Sequence, residues 1–450
     1  MKIHIGIGQR IAGVLLAGFM IGLSCGPTVP TRRPPAKKER RQVDTLTVFI
    51  TGNTLGELKP CGCSGGQLGG FDRRPAVFNS VPADKRVILD TGSLVRSDTR
   101  QDLIKFNISI QALSILNYNV VNLTAKDIEI GRNLGLLDDP ILGFVSPHAA
   151  GEKIAQKLQG RYSLNGEPLT LCVSTFDVKT SPIDRIRDAF GPDVSSEKKV
   201  HILLVNQCND SLIASIARMG IVDCLICPSV SDEPMVIGKP DRKPLVFSVG
   251  RYGRYISKLQ INTARGEERL TFDFQAIPVV EDLEQDVSLM NLYKDYQQLV
   301  QEANLLEDHP RFILPNGLKY AGSKSCMACH AYEYEKWSAK AHASAFATLE
   351  RVGSNYDPEC VVCHVVGMDY ESGFITQDTT PKLKDVGCEN CHGPGSEHIK
   401  TVGMTKLTEP KSTCLDCHTP DHSGEYAGNE EVFRRKIMHW REPNPPPSVQ

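Results

Sequence analysis

The chain has 450 residues, with 51 Lys and Arg against 53 Asp and Glu and a formal net charge of −2. That length holds two or three domains, and the near-neutral balance lacks the basic footprint of a nucleic-acid binder, so no nucleic acid is expected as a partner. Fifteen cysteines are many for such a chain, and their placement carries most of what can be read about function.

Lys2 and Arg10 flank a charged start, Ile11 to Leu23 is an apolar run, and Ser24-Cys25 closes it. The run is too short for a confident membrane span and reads as an export signal over residues 1–24. Residues 25–44 then form a tether: GPTVPTRRPPAKKERRQ is rich in proline and basic residues and has no apolar period, as in an extended linker. The end of the signal, Ile21-Gly-Leu-Ser-Cys25, resembles a bacterial lipobox, although Gly22 replaces the usual larger aliphatic residue. The resemblance implies a lipid on Cys25, a membrane anchor and a location on the periplasmic or cell-envelope side. Ordinary cleavage with Cys25 discarded is the competing reading.

From Thr45 to about residue 279, short apolar runs bounded by Gly, Asn and Asp alternate with helical stretches such as Gln101–Leu116 and Asp210–Met219. The runs TLTVFIT, RVILDTG, YNVVNLT, HILLVNQ, VDCLICP and PLVFSVG predict six buried strands in an α/β layered domain. In order, these segments resemble the catalytic domain of the 5′-nucleotidase and calcineurin-like metallophosphatase family, whose motifs hold two metals. The turn Gly69-Gly70-Phe-Asp-Arg73-Arg74 and the run Leu89-Asp90-Thr-Gly92 keep the family's frame. Asn53, Leu55, Ser93, Ala125, Asn206 and Ser229 stand where ligands would be, and Lys126 brings a positive charge to the same place. The resemblance therefore implies a scaffold or binding domain and not a nucleotidase.

Cys61 and Cys63 sit in the insertion KPCGCSGGQLGG, while Cys208 and Cys227 follow predicted strands at the ends where α/β sheets place ligands. Four such thiols admit a zinc or iron–sulfur centre. Disulfides in an oxidising compartment or buried inert thiols are the weightier alternatives.

Residues 280–318 read as a helical connector, because Asp282–Asp308 spaces Leu289, Leu292, Tyr293, Tyr296, Leu299 and Val300 near a 3.6 period. Residues 319–450 then carry CxxCH four times: Cys326-Met-Ala-Cys329-His330, Cys360-Val-Val-Cys363-His364, Cys388-Glu-Asn-Cys391-His392 and Cys414-Leu-Asp-Cys417-His418. Two thiols one helical turn apart can form thioethers with both vinyl groups of a heme, and the adjacent imidazole falls under the iron. Paired CxxC motifs also build zinc sites, but zinc does not require a histidine after every second cysteine. Four covalently bound hemes are expected, in a mostly helical and loop-rich domain.

The text SCMACHAYEYEKWSAKAHASAF, ECVVCHVVGMDYESGF, VGCENCHGPGSEH and STCLDCH resembles the cytochrome c-554 family of tetraheme electron-transfer proteins. Each iron then needs a ligand opposite its motif histidine. His342 lies on a strongly helical run, and twelve helical residues span roughly 18 Å, which points it at a heme other than that of His330. Six residues separate His398 from His392 and reach at most ~20 Å, again favouring another heme. His439 is preferred over His422 as a third distal ligand, and Met368 more often packs on a ring than ligates. The resemblance implies that the heme of the second motif, at Cys360, Cys363 and His364, is five-coordinate.

The expected function is an anchored electron carrier between exported redox partners. The alternative is an oxidoreductase acting on a small nitrogen or oxygen compound at the open heme. Four CxxCH motifs predict that protein matured in a host with heme-attachment machinery keeps its heme stain after denaturation and gains the mass of four hemes. A smaller number after full maturation refutes at least one motif.

Overall fold

The computed structural model describes residues 45–60, 65–138, 142–148, 154–164, 166–190, 198–263, 270–409 and 413–441. The export signal, Cys25, the tether, Cys61 and Cys63 lie outside the described residues. Among the described residues no helix is long and apolar enough to cross a membrane.

The chain is multidomain, with an α/β layered N-terminal body, a helical connector and a C-terminal region of short helices and loops. The strands are β1 (Thr45–Thr51), β2 (Arg86–Asp90), β3 (Val120–Asn122), β4 (Phe144–Val145), β5 (Lys157–Leu164), β6 (Glu167–Phe176), β7 (Lys198–Val205), β8 (Cys224–Ile226), β9 (Met235–Val236), β10 (Leu245–Ser248), β11 (Tyr255–Thr263) and β12 (Leu270–Pro278). The body's helices are α1 (Arg74–Phe78), α2 (Arg100–Ile115), α3 (Ala125–Leu134), α4 (Ile186–Phe190) and α5 (Asp210–Met219), and the connector contributes α6 (Val287–Glu302).

Two six-stranded sheets form, ordered β12-β11-β1-β2-β3-β4 and β5-β6-β7-β8-β10-β9. All six predicted strands exist, but they are half of the strands among the described residues. The hairpin of β11 and β12 pairs antiparallel from Tyr255↔Pro278 to Thr263↔Leu270. β12 alternates between half-buried and exposed positions, so it lacks the unbroken apolar run of a strand buried on both faces.

β1 shows how the layers stack. Its Phe49 packs with Phe106 and Leu113 of α2 and with Leu292 and Tyr296 of α6. Leu46, Val48 and Ile50 point the other way, against Leu171, Val173, Ile202 and Leu204 of the second sheet. Leu203 and Val205 in turn meet Ile186 of α4 and Ile216 of α5. The body is thus helix, sheet, sheet, helix, with strands apolar on both faces as such layering demands.

The connector helix is shorter than the Asp282–Asp308 stretch that the apolar period predicts. Asp286 caps its start by accepting from the Leu289 N–H, and Ala303 ends it just before Asn304, which turns left-handed at φ 56°. The C-terminal region follows with α7 (Ala331–Ser338), α8 (Ala345–Val352), α9 (Pro358–Val361), α10 (Cys388–His392), α11 (Ser396–Lys400) and α12 (Glu430–Ile437). The run expected as one helix through His342 is two helices: Lys340 is extended at φ −99°, ψ 159°, and His342 sits on a 3-10 turn between α7 and α8. A small apolar cluster of Leu306, Phe346, Leu349, Val361, Val365, Met368, Phe374 and Leu383 holds the second motif in place.

Candidate functional site

The C-terminal helices and loops surround a cavity of about 2590 Å³, and every cysteine and histidine of the four CxxCH motifs lines it. His342, His398, His422 and His439 line it too, as does Met368. Binding cavities for one small ligand run to about 300–1,000 Å³. This one has room for several macrocycles.

Three motif histidines each face a distant histidine. The ring centres of His330 and His398 are 6.0 Å apart, those of His418 and His342 are 6.3 Å apart, and those of His392 and His439 are 6.4 Å apart. A metal between two imidazoles sets about 6 Å between ring centres, from a bond of about 2 Å on each side and roughly 1 Å from each nitrogen to its ring centre. The residues therefore fit iron held from both faces at three motifs. Among the described residues His364, the histidine of the second motif, faces no such histidine.

The free ring nitrogens agree with this fit. Nδ1 of His364 donates to the Ala345 carbonyl at 2.7 Å, that of His398 to Thr405 O at 2.8 Å and that of His439 to Ile437 O at 3.0 Å. A carbonyl can only accept, so each Nδ1 carries the proton and Nε2 keeps its lone pair for a metal. Burial pushes the imidazoles of His342, His392 and His418 below their ordinary range, which keeps them neutral, the form that binds metal.

His309 is arranged differently, while Nδ1 of His422 meets a hydroxyl much as Nδ1 of His418 meets Ser423 Oγ at 3.0 Å. Nε2 of His309 lies 2.8 Å from Asp369, and Nδ1 of His422 lies 2.9 Å from the Thr419 hydroxyl. Met368 is buried in the apolar cluster beside Phe346 and Phe374.

The thiols meet in two groups. Cys326 and Cys388 share a hydrogen bond that pushes the first thiol up and the second down to about 7. Cys363 and Cys417 share another, which lowers Cys363 and raises Cys417. The first motif thus lies beside the third and the second beside the fourth. Burial raises the thiol of Cys360 well above its ordinary value.

Several supporting residues carry no sequence signal. Glu389, inside the third motif, is 3% exposed, and its carboxylate accepts from the backbone N–H groups of Ala321, Gly322 and Gly395 at 2.7–3.1 Å. It ties the first motif's entry and the GPG turn to the third motif. Asp357 caps α9 by accepting from Glu359 N at 3.0 Å, and it also accepts from Gln101 Nε2 and the Tyr296 hydroxyl, each at 2.8 Å. Lys105 of α2 reaches Glu359 Oε2 at 2.5 Å, and Arg254 reaches Asp421 at 2.7 Å. The N-terminal body and connector are thereby fastened to the second motif and to the loop after the fourth.

Of the N-terminal positions that stand where the resembled family has ligands, two are hydrogen-bonded to each other. Asn53 Nδ2 donates to Ser229 Oγ at 3.0 Å and to the Gly250 carbonyl at 3.1 Å. Asn53, Leu55 and Ser93 all have positive φ, at 49°, 53° and 59°, a region that non-glycine residues seldom occupy. Lys126 is exposed on the first turn of α3. The four-thiol centre admitted by the sequence does not form among Cys208 and Cys227, which are joined in a disulfide. Parallel neighbours β7 and β8 bring the two Cα atoms to 5.5 Å, within disulfide reach. Cys172 and Cys224 are buried free thiols.

A family model described as cytochrome c554 and c-prime matches residues 325–393. Cytochrome c-554 of Nitrosomonas europaea is 34% identical over 91 residues, which cover 17% of this chain and 39% of that relative. Residues 325–393, which carry the first three CxxCH motifs, are thus similar to a c-type cytochrome, and the chain spans well under half the length of that relative. Solved structures similar to the chain include a 5′-nucleotidase precursor from Thermus thermophilus, at TM-score 0.45 and 14% identity over 69% of this chain and 68% of that one. The calcineurin-like phosphoesterase YfkN from Bacillus subtilis is similar at TM-score 0.42 and 13% identity, over 58% of this chain and 98% of that one.

The three backbone bonds at Glu389 give a direct prediction. Glu389→Ala strands three N–H donors in a dry place and should cost about 3 kcal/mol or more. Thermal unfolding of the matured full chain measures this, and Glu389→Gln should recover part of the loss.

Proposed function

We propose that the chain is an exported, lipid-anchored carrier of four covalently attached hemes that passes electrons between exported redox partners. The observation that carries this reading is the set of three histidine pairs at 6.0–6.4 Å beside a fourth motif histidine, His364, that has no such partner among the described residues. Cys326 and Cys329, Cys360 and Cys363, Cys388 and Cys391, and Cys414 and Cys417 would attach the groups. His330, His364, His392 and His418 would serve as the motif ligands, with His398, His439 and His342 available to pair with His330, His392 and His418 respectively. Heme c, when bound, supplies one-electron chemistry at iron. The chain's own residues fix where that chemistry sits: first motif against third, second against fourth, which keeps the four centres in one cavity and close enough for transfer between them.

Cys25 would hold the anchor, and the Cys208–Cys227 disulfide supports an oxidising, exported setting. The N-terminal body acts as a scaffold that grips the cytochrome module through Lys105, Gln101 and Arg254. It does not hydrolyse phosphate esters in this reading, because Asn53 and Ser229 are neutral and satisfied by each other. A second reading, oxidation or reduction of a small nitrogen or oxygen compound, is favoured by one observation: the face opposite His364 shows no imidazole partner among the described residues.

Electron paramagnetic resonance of the matured full chain separates the two ligand types. Three low-spin centres and one high-spin centre that binds nitric oxide are expected, and His342→Ala should turn one more centre high-spin while the original high-spin signal stays. Four low-spin centres and no nitric oxide adduct would mean that His422 or Met368 closes the site, and the second reading would then fall.

Nucleotide hydrolysis is a separate check. With added Mn²⁺ or Zn²⁺ the full chain should release no phosphate above a metal-free blank. Turnover that disappears on Asn53→Ala would overturn the scaffold reading.

A further inference from the structure

Lys105 belongs to α2 of the N-terminal body, yet its side chain is only 6% exposed and is sealed against the second CxxCH motif. Its Nζ lies 2.5 Å from Oε2 of Glu359, the residue immediately before Cys360. Asp357, three positions before Cys360, is buried as well at 7%. The donors that satisfy Asp357, Gln101 Nε2 and the Tyr296 hydroxyl, are both neutral. Half-buried Glu57 stands on the same side and is ion-paired with Arg96 at 2.7 Å near the surface. The carboxylates around Cys360 therefore have one deeply buried cation to offset them.

Holding the two domains together does not by itself require this arrangement. Arg254–Asp421, Gln297 to the Val352 carbonyl at 2.7 Å and the Tyr296–Asp357 bond already span the contact. Burying an ammonium costs several kcal/mol before pairing returns any of it, and well-packed neutral groups often replace such pairs without loss. What a buried charge does that a neutral group cannot is act on a neighbouring redox centre through a low dielectric, little screened by salt.

We propose that the Lys105 ammonium raises the reduction potential of the heme attached at Cys360 and Cys363, so that the N-terminal body tunes the one heme that lacks a second histidine. The inference rests on the second motif binding heme as proposed above. Reduction adds one electron, supplied by the redox partner or by the titrant, and lowers the charge of the centre by one. A fixed cation nearby favours that state and fixed carboxylates oppose it. Lys105 acts through position and charge and touches no substrate.

The test is a redox titration of the matured full chain, following the high-spin signal. Lys105→Met should shift the one-electron equilibrium at least tenfold toward the oxidised form, a fall of about 59 mV. Lys105→Arg should keep the wild-type value, Glu359→Gln should raise it, and Lys105→Met with Glu359→Gln should return toward wild type. An unmoved high-spin potential in both Lys105→Met and Glu359→Gln, with heme content intact, overturns the proposal. If Lys105→Met does not mature, the sign of the Glu359→Gln shift decides: a rise supports the tuning role, and no change or a fall rejects it. A wild-type protein with no high-spin signal defeats the coordination reading instead, and the same variants are then compared by optical titration of all four hemes, where the same signs apply.

Discussion

Attachment of a heme at one edge through two thiols settles only one face of its iron, and the opposite face must be met by a residue from elsewhere in the chain. That requirement organises the C-terminal region. His398 comes back from α11 to His330, His342 descends from the turn before α8 to His418, and His439 returns from beyond α12 to His392. Each closure crosses from one motif to another, so no single motif and its neighbouring residues would make a complete site. The short helices and many turns of the region are the consequence, since long helices could not bring eight imidazoles and eight cysteines into one cavity.

The exception is His364. Its Nδ1 is anchored to the Ala345 carbonyl as firmly as the other histidines are anchored, yet the apolar residues around its motif, Val361, Val365 and Met368, belong to the buried cluster. The same motif receives the grip of the N-terminal body through Lys105 and Gln101. A scaffold that contacts the most exceptional centre is placed to influence it, whereas the first and third motifs are stabilised from within by Glu389.

Part of this was readable in advance for a physical reason. Heme attachment is local chemistry confined to five residues, so CxxCH appears directly in the text. Strands buried on both faces are continuous apolar runs, and all six such runs became strands. The hairpin of β11 and β12 escaped because one of its faces is wet, and the break at Lys340 escaped because AYEYEKWSAKAHASAF has good helix formers throughout. Tertiary demand for His342 at the cavity, not local propensity, accounts for that break. Glu389 and Lys105 were invisible for a different reason: a charged residue reads as surface until its partners, 68 or 254 positions away in sequence, are known.

The proposed carrier requires three irons held between histidine pairs and a fourth held by His364 alone. Anomalous scattering at the iron edge, from crystals of the matured full chain, locates the metals without reference to spectra. Four peaks are expected: one between His330 and His398, one between His392 and His439, one between His418 and His342, and one beside His364 with no protein atom bonded on its other side. Fewer than four peaks, an iron bridged from His364 to His422 or Met368, or a histidine pair with no iron between its rings would contradict it.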